Sequence, residues 1–117
     1  MGICRDTGGM EIDLVKEMAE GLGNSGAALE RLIEKAVQAR MEVFSLMDTF
    51  RNGSSGDLCD EHIEMINDSI RKYNSTVNSA QHALDWLLIQ REACGFRTHR
   101  NVSSFYPIPQ KMILIRK

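Results

Sequence analysis

The spacing of apolar residues is the feature that most constrains the fold of this chain. In two long stretches these residues recur every three or four positions, which places them on one face of an α-helix because a turn takes about 3.6 residues. The first series is Leu29, Leu32, Ala36, Ala39, Val43, Leu46 and Phe50, and the second is Cys59, Ile63, Ile66, Ile70, Tyr73, Val77, Ala80, Leu84 and Leu87. The spacing therefore predicts two long amphipathic helices, each with an apolar seam formed by its series.

The segment between the two series is rich in turn-forming residues. Its sequence, RNGSSGD at positions 51–57, contains two glycines and two serines, and such clusters separate helices. We expect Asp60 to cap the start of the second helix and Gly95 to end it. A chain of 117 residues is long enough for one core. The predicted fold class is therefore all-α, a long antiparallel αα-hairpin formed by residues 1–95.

Three glycines within the first predicted helix raise the question of a nucleotide site. Residues 21–26, GLGNSG, match the G-x-G-x-x-G spacing of nucleotide-binding loops. Such a loop follows a buried β-strand, whereas residues 10–20 carry four acids and place their apolar side chains on one helical face. We therefore predict no bound cofactor and interpret the glycines as a hinge or kink in the first helix.

Candidate metal ligands and nucleophiles occur in two short pairs. Cys59 lies close to His62 in sequence, and Cys94 lies close to His99. A continuous second helix would separate the two pairs by roughly 50 Å, at about 1.5 Å per residue, which is too far for one zinc ion. Cys59 occupies a seam position, so we expect its thiol to be buried and unreactive. The sequence thus predicts no metal site, no catalytic site and no enzymatic activity.

Apolar residues outside the seams indicate an interface. A two-helix hairpin can bury only a narrow apolar stripe on each helix. The additional apolar residues would remain exposed and so indicate an interface; they are Phe44 on the first helix and Trp86, Leu88 and Ile89 on the second. Two hairpins packed into a helical bundle would cover these side chains, and we therefore expect a homodimer. The alternative is that the N-terminal segment and the C-terminal tail cover them within one chain.

The end of the chain differs from the rest in charge and in conformation. Residues 1–95 contain sixteen acidic and nine basic residues, a net charge of −7, whereas residues 96–117 contain five basic and no acidic residues. Pro107 and Pro109 exclude a helix and favour an extended tail. We expect this tail to dock onto the acidic body or onto a partner. Its residues predicted to bind a partner are Arg97, Arg100, Phe105, Tyr106, Ile113 and Ile115.

These features favour a non-enzymatic protein–protein interaction module, such as an adaptor, a small chaperone or a subunit of a larger assembly. The competing class is a nucleic-acid-binding regulator that uses the basic, aromatic tail, although the net charge of −2 disfavours it. No apolar run approaches the ~18–20 residues of a membrane span. The N-terminus has no secretory-signal pattern, so we expect a cytoplasmic protein.

Overall fold

The computed structural model contains three helices and no strand over the residues it describes. These are residues 2–53, 59–99 and 102–116, with side chains described from residue 13 onward. The helices in chain order are α1, spanning Gly2–Gly53, α2, spanning Asp60–Ala93, and α3, spanning Val102–Phe105.

The two long helices pack against each other as an antiparallel hairpin. Near the turn, the ring of Phe50 stacks on that of His62 with centroids 4.0 Å apart. Far from the turn, the Ser25 hydroxyl of α1 donates a hydrogen bond to Oε1 of Gln90 on α2. The molecule is consequently elongated, with extents of 83 × 19 × 18 Å. The all-α fold class and the predicted αα-hairpin are confirmed.

The predicted seams form the core. In α1, Leu29, Ala36 and Val43 are fully buried at intervals of seven residues, as expected for helices that meet along one stripe. The buried apolar residues of α2 are Ile63, Ile66, Ile70, Tyr73, Val77, Ala80 and Leu87. The residues of α1 that pack around them more loosely include Leu32, Ala39, Leu46 and Phe50.

The start of α2 corrects two predictions. Cys59, not Asp60, is the N-cap residue; its backbone is extended, and its carbonyl accepts from the Ile63 amide at 3.0 Å. Asp60 is the first helical residue, where its carboxylate still interacts favourably with the helix dipole. Cys59 is also exposed, because it precedes the helix instead of continuing its seam. The expectation of a buried Cys59 thiol is therefore wrong.

The end of α2 depends on a glycine. Gly95 has a φ of +99°, in the left-handed region that disfavours residues with a Cβ. Its amide donates to the Glu92 carbonyl at 3.0 Å, and the Phe96 amide donates to the Arg91 carbonyl at 2.9 Å. These two bonds form a Schellman motif, which satisfies the last carbonyls of the helix. The predicted stop at Gly95 is confirmed.

Arg91 holds the segment that returns from α2. Its Nε donates to Nδ1 of His99 at 3.3 Å, its Nη2 donates to the Thr98 carbonyl at 3.3 Å, and its guanidinium lies 4.7 Å from the centroid of Phe96. Because Nδ1 of His99 accepts this bond, the ring proton is on Nε2, which lies 3.2 Å from the Glu92 carboxylate. The chain is thereby directed back along the hairpin.

The glycine cluster at residues 21–26 lies inside α1, which passes through it without interruption. The glycines therefore do not separate two helices, and a bend at this point stays a prediction. Gly26 is buried, and a Cβ placed on it would lie 2.6 Å from the hydroxyl oxygen of Tyr106. Gly21 and Gly23 have no such neighbour within 4 Å. Of the three glycines, Gly26 is thus the one at which the close approach of Tyr106 requires the absence of a side chain.

Replacing these glycines by alanine is expected to give unequal results. Gly21→Ala and Gly23→Ala should each raise the free energy of unfolding by about 1 kcal/mol, because alanine favours a helix and the added methyl group meets open space. Gly26→Ala should gain less, since the Tyr106 hydroxyl must move aside. Urea denaturation followed by circular dichroism measures all three, and equal gains would show that Tyr106 does not press on Gly26.

Candidate protein-binding site

Residues 106–116 of the C-terminal tail lie in a groove between α1 and α2, here called the tail groove. Tyr106 packs on the core cluster that contains Leu29 and Leu87, and Ile115 lies farther on, against the cluster that contains Val43 and Ile66. The tail therefore runs antiparallel to α2. This is the extended docking that the prolines predict, but the prediction of an extended tail over residues 96–117 is wrong at residues 102–105, which form α3. α3 precedes the prolines, because proline restricts only itself and the residue before it.

Two asparagines of α2 hold the tail by its main chain. Nδ2 of Asn74 donates to the carbonyl of Met112 at 2.8 Å, and the Met112 amide donates to Oδ1 of Asn74 at 2.8 Å. In the same way, Nδ2 of Asn67 donates to the carbonyl of Ile115 at 2.9 Å, and the Ile115 amide donates to Oδ1 of Asn67 at 2.7 Å. Each side-chain amide thus satisfies both polar groups of one tail residue. Asn67 and Asn74 are called the asparagine clamps.

The clamps fit the tail because two repeats coincide. Asn67 and Asn74 are seven residues apart, which separates them by about 10 Å along a helix that rises about 1.5 Å per residue. Met112 and Ile115 are three residues apart, which is also about 10 Å in an extended chain that rises about 3.3 Å per residue. Two helical turns of α2 therefore match three residues of tail in length. Met112 and Ile115 are both half-buried while the two residues between them are exposed, so the clamped residues lie on the side of the tail that faces the hairpin.

A buried tyrosine adds a third polar contact to the tail. Tyr73 is fully buried, and its hydroxyl donates to the Gln110 carbonyl at 2.5 Å. This contact matters because a buried hydroxyl without a partner costs free energy. If the same spacing continued, seven residues along α2 and three along the tail, Gln81 would pair with Pro109, but proline has no main-chain N–H to donate. Gln81 instead donates to Asp85 on its own helix at 3.1 Å.

The tail divides its apolar side chains between the hairpin and the solvent. Tyr106, Ile108, Met112 and Ile115 are half-buried and pack on the core. Phe105 and Ile113 are exposed, Ile113 by 90%. The tail therefore covers part of the hairpin core within one chain, yet it leaves large apolar residues of its own in water.

The other residues predicted to bind a partner also fall into two groups. Leu88 is half-buried against the core cluster of Leu29 and Leu87, so it belongs to the hairpin interior. Trp86 and Ile89 are exposed, Trp86 by 57%, and Phe44 is exposed as well. Trp86 and Ile89 are neighbours on the surface of α2 because three residues separate them. They form an apolar pair that the described part of the chain does not cover.

The N-terminal part of α1 extends beyond α2. At about 1.5 Å per residue the 52 residues of α1 span roughly 78 Å, against roughly 51 Å for the 34 residues of α2. All residues from Asp13 to Glu20 are exposed, and we call this segment the overhang. Its apolar residues are Leu14, Val15, Met18 and Ala19. Leu14 and Met18 border a shallow depression with Ala93 and Cys94, at the end of α2.

Two basic residues of the tail, Arg97 and Lys111, form no ion pair with the acidic body within the part of the chain that the structure describes. Among the described residues, Arg71 forms ion pairs with Glu64 and Asp68 at 3.4 and 2.6 Å. Arg97 and Lys111 are exposed and take no part in these pairs. Arg100 lies outside the described residues.

Sequence reasoning missed the polar residues that hold the tail. Asn67, Asn74 and Tyr73 carry every side-chain hydrogen bond from α2 to the described tail. A signal was present in the sequence. Asn67 and Asn74 each come directly after a seam residue, and the two asparagines are seven residues apart. Asparagine is a poor helix former, so its recurrence beside an apolar seam favours a role in side-chain hydrogen bonding.

Comparisons of the chain with protein-family models, curated proteins and solved structures give no match. Over the part of the chain that the structure describes, no set of three or more His, Cys, Asp or Glu side chains lies close enough to hold a metal ion. Within the same residues, no helix has the length and apolarity needed to cross a membrane. The candidate site therefore consists of the tail groove and the exposed apolar residues.

Proposed function

We propose that this protein is a non-enzymatic interaction module, an adaptor, small chaperone or assembly subunit, whose hairpin binds a second copy of the chain. The observation that carries the proposal is the group of large apolar side chains left exposed at the end of α2 and on the overhang. Trp86 is exposed by 57%, Val15 by 62% and Ile89 by 55%. Large apolar side chains left in water favour an interface, and tryptophan is enriched at the centres of interfaces.

The overhang supports the same proposal. A helix that lacks tertiary contacts is only marginally stable in water at this length, because helix nucleation is costly and propagation gains little. Val15 and Met18 continue the spacing of the α1 seam, but both are exposed, and Met18 reaches only the very end of α2. A second hairpin would supply the missing apolar surface and extend the packing into a helical bundle.

The charge distribution favours a protein partner over nucleic acid. Residues 1–95 carry a net charge of −7, and the tail lies along this acidic hairpin. A phosphate backbone that approached Arg97 or Lys111 would therefore meet repulsion from the body.

Sedimentation velocity at about 1 to 100 µM tests the proposal. We expect the full chain to form a dimer, and the Trp86→Glu/Ile89→Glu double variant to weaken association at least tenfold, since it places two charges in the contact. The matched control is Ser75→Glu/Ser79→Glu, which adds the same charge at two exposed positions of α2 and should leave association unchanged. A single 13.2 kDa species across the concentration range would refute self-association.

A further inference from the structure

We propose that the tail groove is a binding site for an extended segment of a partner protein, and that this chain's own tail is its built-in competitor. The partner segment would carry apolar side chains at positions i and i+3, with free main-chain N–H groups at both. The inference concerns a different surface from the apolar pair Trp86 and Ile89, so it stands independently of self-association.

The first argument is that the groove recognises main chain. All five described hydrogen bonds from Asn67, Tyr73 and Asn74 to the tail end on main-chain atoms. Such bonds require an extended backbone of the right register and no particular side chain. The hairpin therefore does not distinguish its own tail from another segment by polar contacts.

The second argument concerns where selectivity resides. Ile115 and Met112 are half-buried against the core, while Ile113 is 90% exposed and Leu114 is exposed as well. Between residues 112 and 115, only the residues at the clamped positions thus turn their side chains toward the hairpin. This gives the ligand pattern apolar-x-x-apolar, and it excludes proline at the two clamped positions because proline lacks the N–H that Asn67 and Asn74 require.

The third argument is that the receptor groups are fixed by elements other than the tail. Asn67, Tyr73 and Asn74 lie in the middle of α2, whose seam packs on α1 through Ile66 and Ile70. The spacing of the clamps is set by the helix, so release of the tail leaves the pair in register. A partner segment would find the same donors and acceptors.

Competition within one chain has a predictable size. A tethered segment presents itself at an effective concentration on the order of 1 mM. A free peptide of about 10 µM affinity would consequently bind the intact protein about 100-fold more weakly than a protein whose tail is released. Partner binding thus requires either a tighter segment or an event that detaches the tail.

The test uses the full chain with Met112→Pro/Ile115→Pro, here called the released variant, which removes both N–H donors and leaves the groove intact. The probe is a fluorescent peptide of residues 105–116, and anisotropy reports its binding. We expect the peptide to bind the released variant about 100-fold more tightly than the wild-type chain. Circular dichroism should show equal helical content in the two proteins.

Variants of the groove and of the peptide complete the design. Asn67→Ala/Asn74→Ala in the released variant should weaken binding of the peptide at least tenfold. Asn74→Asp, which keeps the size of the side chain but removes its N–H donor, should also weaken binding of the peptide. Asn78→Ala, an exposed asparagine of α2, is the matched control and should have no effect. The Ile113→Ser/Leu114→Ser peptide should bind as well as the parent peptide. Equal binding to wild-type and released proteins, binding unaffected by the clamp variants, or no binding at about 1 mM peptide would each overturn the proposal.

Discussion

Ile70→Ala should lower the free energy of unfolding by about 2–5 kcal/mol, because it truncates a fully buried side chain of the hairpin core. Ile70 is fully buried and lies in the core cluster with Ala36, Val43, Ile66 and Tyr73. Its truncation removes apolar contacts and leaves a cavity that two rigid helices cannot close. Since a domain has only about 5–15 kcal/mol of stability, this variant should lose a large part of it.

The control for this substitution is Met65→Ala on the same helix. Met65 is 51% exposed, so its truncation removes little buried surface and should change stability by less than about 1 kcal/mol. Urea denaturation at 25 °C measures both variants. A change at Ile70 as small as that at Met65 would mean that the seam of α2 does not face α1.

Hydrogen exchange of the tail should alternate between neighbouring residues. The amides of Met112 and Ile115 donate to the asparagine clamps and should exchange slowly, whereas those of Ile113 and Leu114 have no acceptor among the described residues and should exchange fast. Loss of the two hydrogen bonds made by one clamp removes about 2 kcal/mol. That loss corresponds to about 30-fold faster exchange at the residue concerned.

Single clamp variants assign the protection residue by residue. Asn74→Ala should expose the Met112 amide first and Asn67→Ala the Ile115 amide, while Asn78→Ala should leave both slow. Measurement by nuclear magnetic resonance resolves the individual amides. Uniform protection from residue 111 to residue 116 would indicate strand pairing of the tail, and uniform fast exchange would indicate that the tail is not docked.

The sequence alone determined the hairpin because helix formation and helix pairing both follow a local repeat. The seam residues recur at intervals that fix one face per helix, and Leu29, Ala36 and Val43 are buried accordingly. The stop at Gly95 was equally local, since a left-handed residue after a helix favours glycine. The prediction of a buried Cys59 was wrong because the repeat does not show where the helix begins. Cys59 matches the spacing of the seam but lies before the first turn of α2.

Only the tertiary structure decided what the tail does. Pro107 and Pro109 established that the tail is extended, but the binding of Met112 by Asn74 joins residues 38 positions apart, and no local pattern encodes such a pairing. The contact arises because seven residues of helix and three residues of extended chain have nearly the same length. This coincidence becomes visible only when the two segments lie side by side. The same holds for Gly26. A side chain at this position would collide with the Tyr106 hydroxyl of the docked tail, so the requirement for glycine comes from the tail and not from neighbouring residues of α1.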